Sequence, residues 1–295
     1  IEKTKVKDQL VGFQSHSPLD LDLDQDNGGD QKLPSMWDNF LQIHSSAIPC
    51  LVSCVISEMQ LELNLIFIGN YSEDTFMLAG VGMANMIINV GCMSIVYGMT
   101  SVLETLVSQA HGSKQYYMCG VFFNKALVLI FALFVPVTIL MCNAEQLLLT
   151  MGQDPAVSLY AGRLLKYQLP GIYMQAIDEA LALFFTALEK NYIMLIIDSF
   201  RIPVHLALLY IFVVKLDWEI FGCAMAINCV YFMKFVMTKI VVDYYKKSLV
   251  DLRESFFFRI DEDTFKDYRA FLKLATAGLL LSCLEWWIGE AMTLM

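Results

Sequence analysis

Apolar and polar positions alternate along this chain on a long scale. Apolar runs cover 40–68, 77–103, 120–142, 157–188, 192–214, 219–242 and 271–295, each set off by a short polar segment. A helix rises about 1.5 Å per residue, so about 20 apolar residues cross the hydrocarbon core of a bilayer. Six runs have both ends marked, and the seventh reaches residue 295 with no helix stop signal. The pattern predicts an all-α, polytopic membrane helix bundle of six full spans and an incomplete seventh. It divides the chain into a disordered acidic tail (1–36), a six-helix bundle (37–245), a charged linker (246–269) and the start of a further helical unit (270–295).

Composition supports a membrane protein. Of 295 residues, 57% are hydrophobic and 17% charged, with a mean hydropathy of +0.55. Soluble domains carry about 45–50% apolar and about 25% charged residues. The formal net charge of −10 argues against a nucleic-acid binder. Eight cysteines are scattered without a Cys-x-x-Cys pair, so they read as small buried hydrophobes and no metal site is expected. The run Asp20, Asp22, Asp24, Asp26 and Asp30 has the look of a calcium loop. It lacks Gly at its sixth position (Asn27) and Glu at its twelfth (Leu33), so the tail reads as disordered. Residue 1 is not Met, and residues 1–35 contain no apolar core of signal-peptide length. With the unterminated last run, this points to a fragment or an incomplete gene model.

Ionisable groups inside the apolar runs are the candidate functional residues, because charge at membrane depth is costly. Glu285 and Glu290 lie in the last run, in Ser282-Cys283-Leu284-Glu285-Trp286-Trp287-Ile288-Gly289-Glu290. The plainer alternative for both is a helix end solvated by headgroups. The first run carries Glu58, Glu62 and Asn64; Glu58 and Glu62 share a helix face, and Glu62 fits a water-facing rim. The fourth run holds Gln175, Asp178 and Glu179 and is interrupted by Pro170-Gly171. A broken helix with polar residues at that depth is expected to line a cavity. In the fifth run Asp198 and Arg201 have the spacing of a local ion pair, and His205 reads equally as a packing group or a ligand contact.

Lys and Arg concentrate in the tail and in the second, fourth and sixth connections, the sixth being the charged linker. The positive-inside rule then places the N-terminus in the cytoplasm. A faint internal echo relates Phe271-Leu272-Lys273-Leu274 to Phe40-Leu41-Gln42-Ile43, with Ser53-Cys54 falling close to Ser282-Cys283. It fits a protein built from two six-span repeats, of which this chain holds one and the start of the next.

Several stretches together resemble the multidrug and toxic compound extrusion (MATE) transporters, especially their eukaryotic branch. They are Leu78-Ala79-Gly80-Val81-Gly82, Gly98-Met99-Thr100-Ser101-Val102-Leu103-Glu104-Thr105-Leu106, Ser108-Gln109-Ala110-His111-Gly112-Ser113-Lys114-Gln115-Tyr116, Gly152-Gln153-Asp154-Pro155, Leu169-Pro170-Gly171 and Cys283-Leu284-Glu285-Trp286-Trp287. The resemblance implies half of a twelve-helix, two-lobe transporter: the N-lobe followed by the first helix of a C-lobe. It implies a secondary active antiporter exporting organic cations or other amphipathic xenobiotics, with H⁺ rather than Na⁺ as coupling ion, no enzyme activity and no cofactor.

Carried over by position, the resemblance makes Glu285 and Glu290 proton-coupling candidates. It gives Glu285, Trp286, Trp287, Glu179, Asp178, His205 and Asn64 as substrate-binding candidates. Asn64 stands where many prokaryotic members have an aspartate, and in the fifth run His205 and Leu209 stand where they have an asparagine and a nearby aspartate. These departures move weight to the C-lobe carboxylates. The expected partners are small amphipathic substrates, the lipid bilayer of a plasma, vacuolar or other endomembrane, and the missing C-lobe; no nucleic acid is expected. The competing readings are a non-transporting truncated remnant and a related lipid-linked sugar flippase, whose diphosphate substrate would call for a more cationic cavity.

Overall fold

The computed structural model describes residues 36–293 apart from Glu73 and Arg259. The acidic tail, except Met36, lies outside the described residues. Among the described residues seven long helices follow one another: α1 (Met36–Tyr71), α2 (Thr75–Gly112), α3 (Tyr116–Cys142), α4 (Pro155–Ala187), α5 (Asn191–Lys215), α6 (Glu219–Tyr245) and α7 (Tyr268–Thr293). Six of them are long and apolar enough to cross a membrane; in α7 the qualifying stretch is Tyr268–Gly289. The more polar α4 is the exception. The protein is an integral, multi-pass membrane protein.

Local chemistry sets the helix ends. Asp154 caps α4 by accepting the Ala156 N–H at 2.8 Å, with Pro155 at the first helical position, where its missing N–H costs nothing. Asp74 caps α2 by accepting from the Phe76 N–H at 2.9 Å. It also accepts the Tyr160 hydroxyl of α4 at 2.7 Å, a bond that holds its carboxyl below the ordinary carboxylate range.

α4 is the hub of the bundle and packs against α2, α3, α5 and α6. Pro170-Gly171 predicts a break; α4 instead runs unbroken through Pro170. Proline removes a backbone donor and crowds the preceding turn, which normally kinks or breaks a helix. Here Asn228 of α6 spans the gap. Its Nδ2 donates to the Tyr167 carbonyl at 2.9 Å, and its Oδ1 accepts from the Gly171 N–H at 2.8 Å. The absence of a Cβ on Gly171 lets that amide reach so close. The polar residues of α4 are thus carried on a continuous rod.

α2 also extends beyond the expected 77–103, through the amphipathic segment to Gly112. Its course is adjusted by a π-helical turn at Asn89–Met93. Such turns leave a carbonyl free of the regular ladder. Next to this turn α7 crosses α2 closely at Gly98 and Gly278: a Cβ on Gly98 would sit 2.7 Å from the Leu279 Cα. Small residues at a membrane helix crossing allow such backbone approach.

The linker is seated on α3 and α4. Phe256 is buried among Phe123, Phe184 and Phe185, with ring centroids about 6 Å apart. The Phe257 carbonyl accepts from Asn124 Nδ2 at 3.0 Å, and Asp251 pairs with Lys190 at 2.8 Å. These contacts fix the start of α7 relative to the bundle.

Candidate functional site

A cavity of about 350 Å³ opens among α1, α2, α4, α5, α6 and α7. α1 contributes Cys50, Ser53, Cys54, Ser57 and Glu58; α2 gives Tyr97; α4 gives Asp178 and Glu179. Asp198 and Arg201 come from α5, Lys234 from α6, and Glu285 and Trp286 from α7. A smaller void of about 60 Å³ adjoins it through Ser57, Glu58, Tyr97, Glu179 and Trp286, which line both. The wall holds five carboxylates against two cations.

The cations are spoken for. Lys234 is 4% exposed, and its ammonium lies 2.6 Å from both Asp178 Oδ2 and Asp198 Oδ1. Arg201 Nη1 stands 3.8 Å from Asp198 Oδ1. The guanidinium also donates to Tyr231 Oη at 2.7 Å, to Ser57 Oγ at 3.2 Å and, through Nε, to Gln60 Oε1. Isolated charges at this depth would lose several kcal/mol of hydration; in exchange Asp178 and Arg201 gain hydrogen bonds and Asp198 a close ion contact with Lys234. Among the described residues Glu58, Glu179 and Glu285 make no ion pair.

The residues expected from sequence do not all meet in one place. Asp178, Glu179, Glu285 and Trp286 meet at the cavity, where the Trp286 ring lies 6.2 Å from that of Tyr97. Trp287 is turned away from it, and its indole N–H reaches the Val90 carbonyl at 3.2 Å and Ser94 Oγ at 3.3 Å. His205 and Asn64 are buried one turn deeper and paired with each other, Nε2 to Oδ1 3.2 Å; neither lines the cavity. Glu290 lies on α7, with its side chain outside the described residues. The expected Asp198–Arg201 pair is present as one edge of a larger network.

Lys234, Gln60, Ser57, Tyr231 and Tyr97 went unmarked in the sequence. Lys234 carried a usable signal: a lysine near the middle of the run 219–242 must have a partner.

The chain resembles solved transporters in fold. It superposes on a eukaryotic MATE transporter, AtDTX14, with a TM-score of 0.77 at 23% identity, covering 86% of this chain and 55% of that one. Against the Vibrio cholerae MATE transporter VcmN in the bent form, the TM-score is 0.70 at 17% identity, covering 85% and 56%. Protein DETOXIFICATION 9 of Arabidopsis thaliana is 27% identical over 280 residues, which are 95% of this chain and 56% of that protein. Protein DETOXIFICATION 3 of the same plant is 28% identical over 257 residues, 86% of this chain and 52% of that protein. The chain thus spans about half the length of the curated relatives it matches. The family model named MatE matches residues 49–211, which carry most of α1 through most of α5 and with them most of the cavity wall, and the chain belongs to that family of membrane transporters.

Proposed function

We propose that this chain forms the N-lobe and the first C-lobe helix of a secondary active antiporter that exports organic cations in exchange for H⁺. The observation that carries the reading is the cavity wall: carboxylates outnumber cations, and among the described residues Glu58, Glu179 and Glu285 have no ion pair. An organic cation offers such a wall both charge and apolar surface. Trp286 and Tyr97 offer aromatic faces to the same ligand. The excess of carboxylate disfavours the diphosphate of a lipid-linked sugar.

In this mechanism Glu285 takes either a proton or the cation. One group cannot hold both, so loading a proton on one side of the membrane releases the drug there. Alternating access then needs the two ligands to favour different conformations, since only differential affinity shifts such an equilibrium. Glu290, five residues on, is the second coupling candidate of the C-lobe helix. The N-terminus is assigned to the cytoplasm of a plasma or endomembrane from the distribution of Lys and Arg.

Uptake of a fluorescent organic cation into vesicles bearing the protein, driven by a pH gradient or by a sodium gradient, tests the reading. A pH gradient should drive accumulation and Glu285→Gln should abolish it. Unchanged pH-driven transport in Glu285→Gln, or transport driven by sodium alone, would overturn it.

A further inference from the structure

Three helices bring one ammonium and two carboxylates to a single point on the cavity wall. Lys234 of α6 lies 2.6 Å from Asp178 of α4 and 2.6 Å from Asp198 of α5, and all three are nearly fully buried. Arg201 cannot take over this duty. It stands 3.8 Å from Asp198, and its donors are directed to Gln60, Ser57 and Tyr231. Asp178 therefore has Lys234 as its ion-pair partner among the described residues. The three groups also line the 350 Å³ cavity, so a free cation in that cavity has a path to the two carboxylates.

We infer that Asp178 and Asp198 form a monovalent-cation site that Lys234 keeps filled, as a tethered ammonium standing where a free cation would otherwise bind. Two carboxylates converging on one point from different helices are a ligand set for a small cation, and a primary ammonium supplies three donors for it. The lysine stem delivers that charge without drawing on the ions of the medium. The functional consequence rests on the antiport reading. With this pair occupied, the N-lobe requires no Na⁺, and Glu58, Glu179 and Glu285 remain to exchange H⁺ for a cationic substrate.

The test reads binding rather than transport, so its failure and that of the antiport reading can be told apart. The full chain is purified in detergent as wild type, Lys234→Ala and Lys234→Ala/Asp178→Asn/Asp198→Asn. Thermal unfolding is followed at fixed ionic strength with sodium chloride, n-propylammonium chloride or tetraethylammonium chloride. Lys234→Ala should unfold at lower temperature than wild type. n-Propylammonium should recover most of the lost midpoint saturably, while tetraethylammonium, too bulky to bridge the pair, should not. The propylammonium shift of Lys234→Ala should exceed any shift shared by wild type and the triple variant, which keep Glu58, Glu179 and Glu285 in the same cavity. A parallel recovery with sodium supports a general monovalent-cation site.

Where Lys234→Ala cannot be isolated folded, it is expressed and extracted in propylammonium, and recovery of folded protein supports the inference. A triple variant that folds, beside a Lys234→Ala that neither propylammonium nor sodium restores, would overturn it. So would an unassisted Lys234→Ala as stable as wild type, or an equal propylammonium response in wild type.

Discussion

Trp287 donates its indole N–H to the carbonyl of Val90, 3.2 Å away, inside the π-helical turn of α2. Ser94 Oγ donates to the same carbonyl at 2.8 Å. Together they satisfy an acceptor at the π turn, and they pin α7 to α2 just beyond the Gly98–Gly278 crossing. Trp287→Phe keeps the apolar ring and deletes the donor. It should destabilise the protein by about 1 kcal/mol, the net worth of one hydrogen bond. Thermal unfolding in detergent measures this, and Trp287→Ala should cost more through lost ring contacts.

Asn228 mends α4 at Pro170 from a different helix. Asn228→Ala leaves the Gly171 N–H and the Tyr167 carbonyl without that partner. Each polar group left unsatisfied costs about 1–3 kcal/mol where water cannot replace the partner. Hydrogen exchange at Gly171 should accelerate in Asn228→Ala, while the capped start of α4 near Ala156 stays protected. Equal exchange at Gly171 in variant and wild type would show that the side chain does not hold the rod together.

The long helices were legible because a bilayer-length apolar run is a property of consecutive residues. What the sequence hid were relations between helices. Pro170 read as a break because its repair sits on α6. Lys234 is hidden inside the run 219–242 because its partners, Asp178 and Asp198, lie on α4 and α5. Trp286 and Trp287 read as one aromatic unit, yet successive residues on a helix point about 100° apart. One therefore lines the cavity and the other grips α2. His205 reads equally as a packing group or a ligand contact and Asn64 as a ligand contact, and the fold pairs them with one another. Glu285 was legible through its motif, and it stands in the cavity wall.

Asp251, in the linker, ties that segment to Lys190 at 2.8 Å and to His111 at 3.6 Å. Burial works against its charge. The Lys190 ammonium, the Leu252 N–H and His111 outweigh it and hold the carboxyl below the ordinary carboxylate range. A carboxylate with a lowered folded-state pKa contributes stability above its unfolded pKa of about 3.9 and loses it as pH falls through the folded value. Asp251→Asn should therefore lower stability near neutral pH. For a partly solvated pair the effect is on the order of 0.5 kcal/mol. The gap between variant and wild type should close on acidification below about pH 4. Unfolding midpoints measured across pH test both the sign and the closing of the gap.

Trp286 and Tyr97 face the cavity from α7 and α2 with ring centroids 6.2 Å apart and planes inclined at 37°. A quaternary ammonium ligand gains from each face it meets, by about 0.5–2 kcal/mol depending on how dry the site is. Trp286→Ala should therefore weaken binding of such a ligand by about 10-fold, since 1.4 kcal/mol is one decade. Trp286→Phe should weaken it less, because phenylalanine keeps a smaller π face. Trp287→Phe changes a residue that grips α2, so ligand affinity should stay unchanged while stability falls. Titrating a fluorescent quaternary ammonium against the three purified variants separates the two tryptophans. Loss of affinity in Trp287→Phe equal to that in Trp286→Ala would contradict the division of labour that their positions on α7 imply.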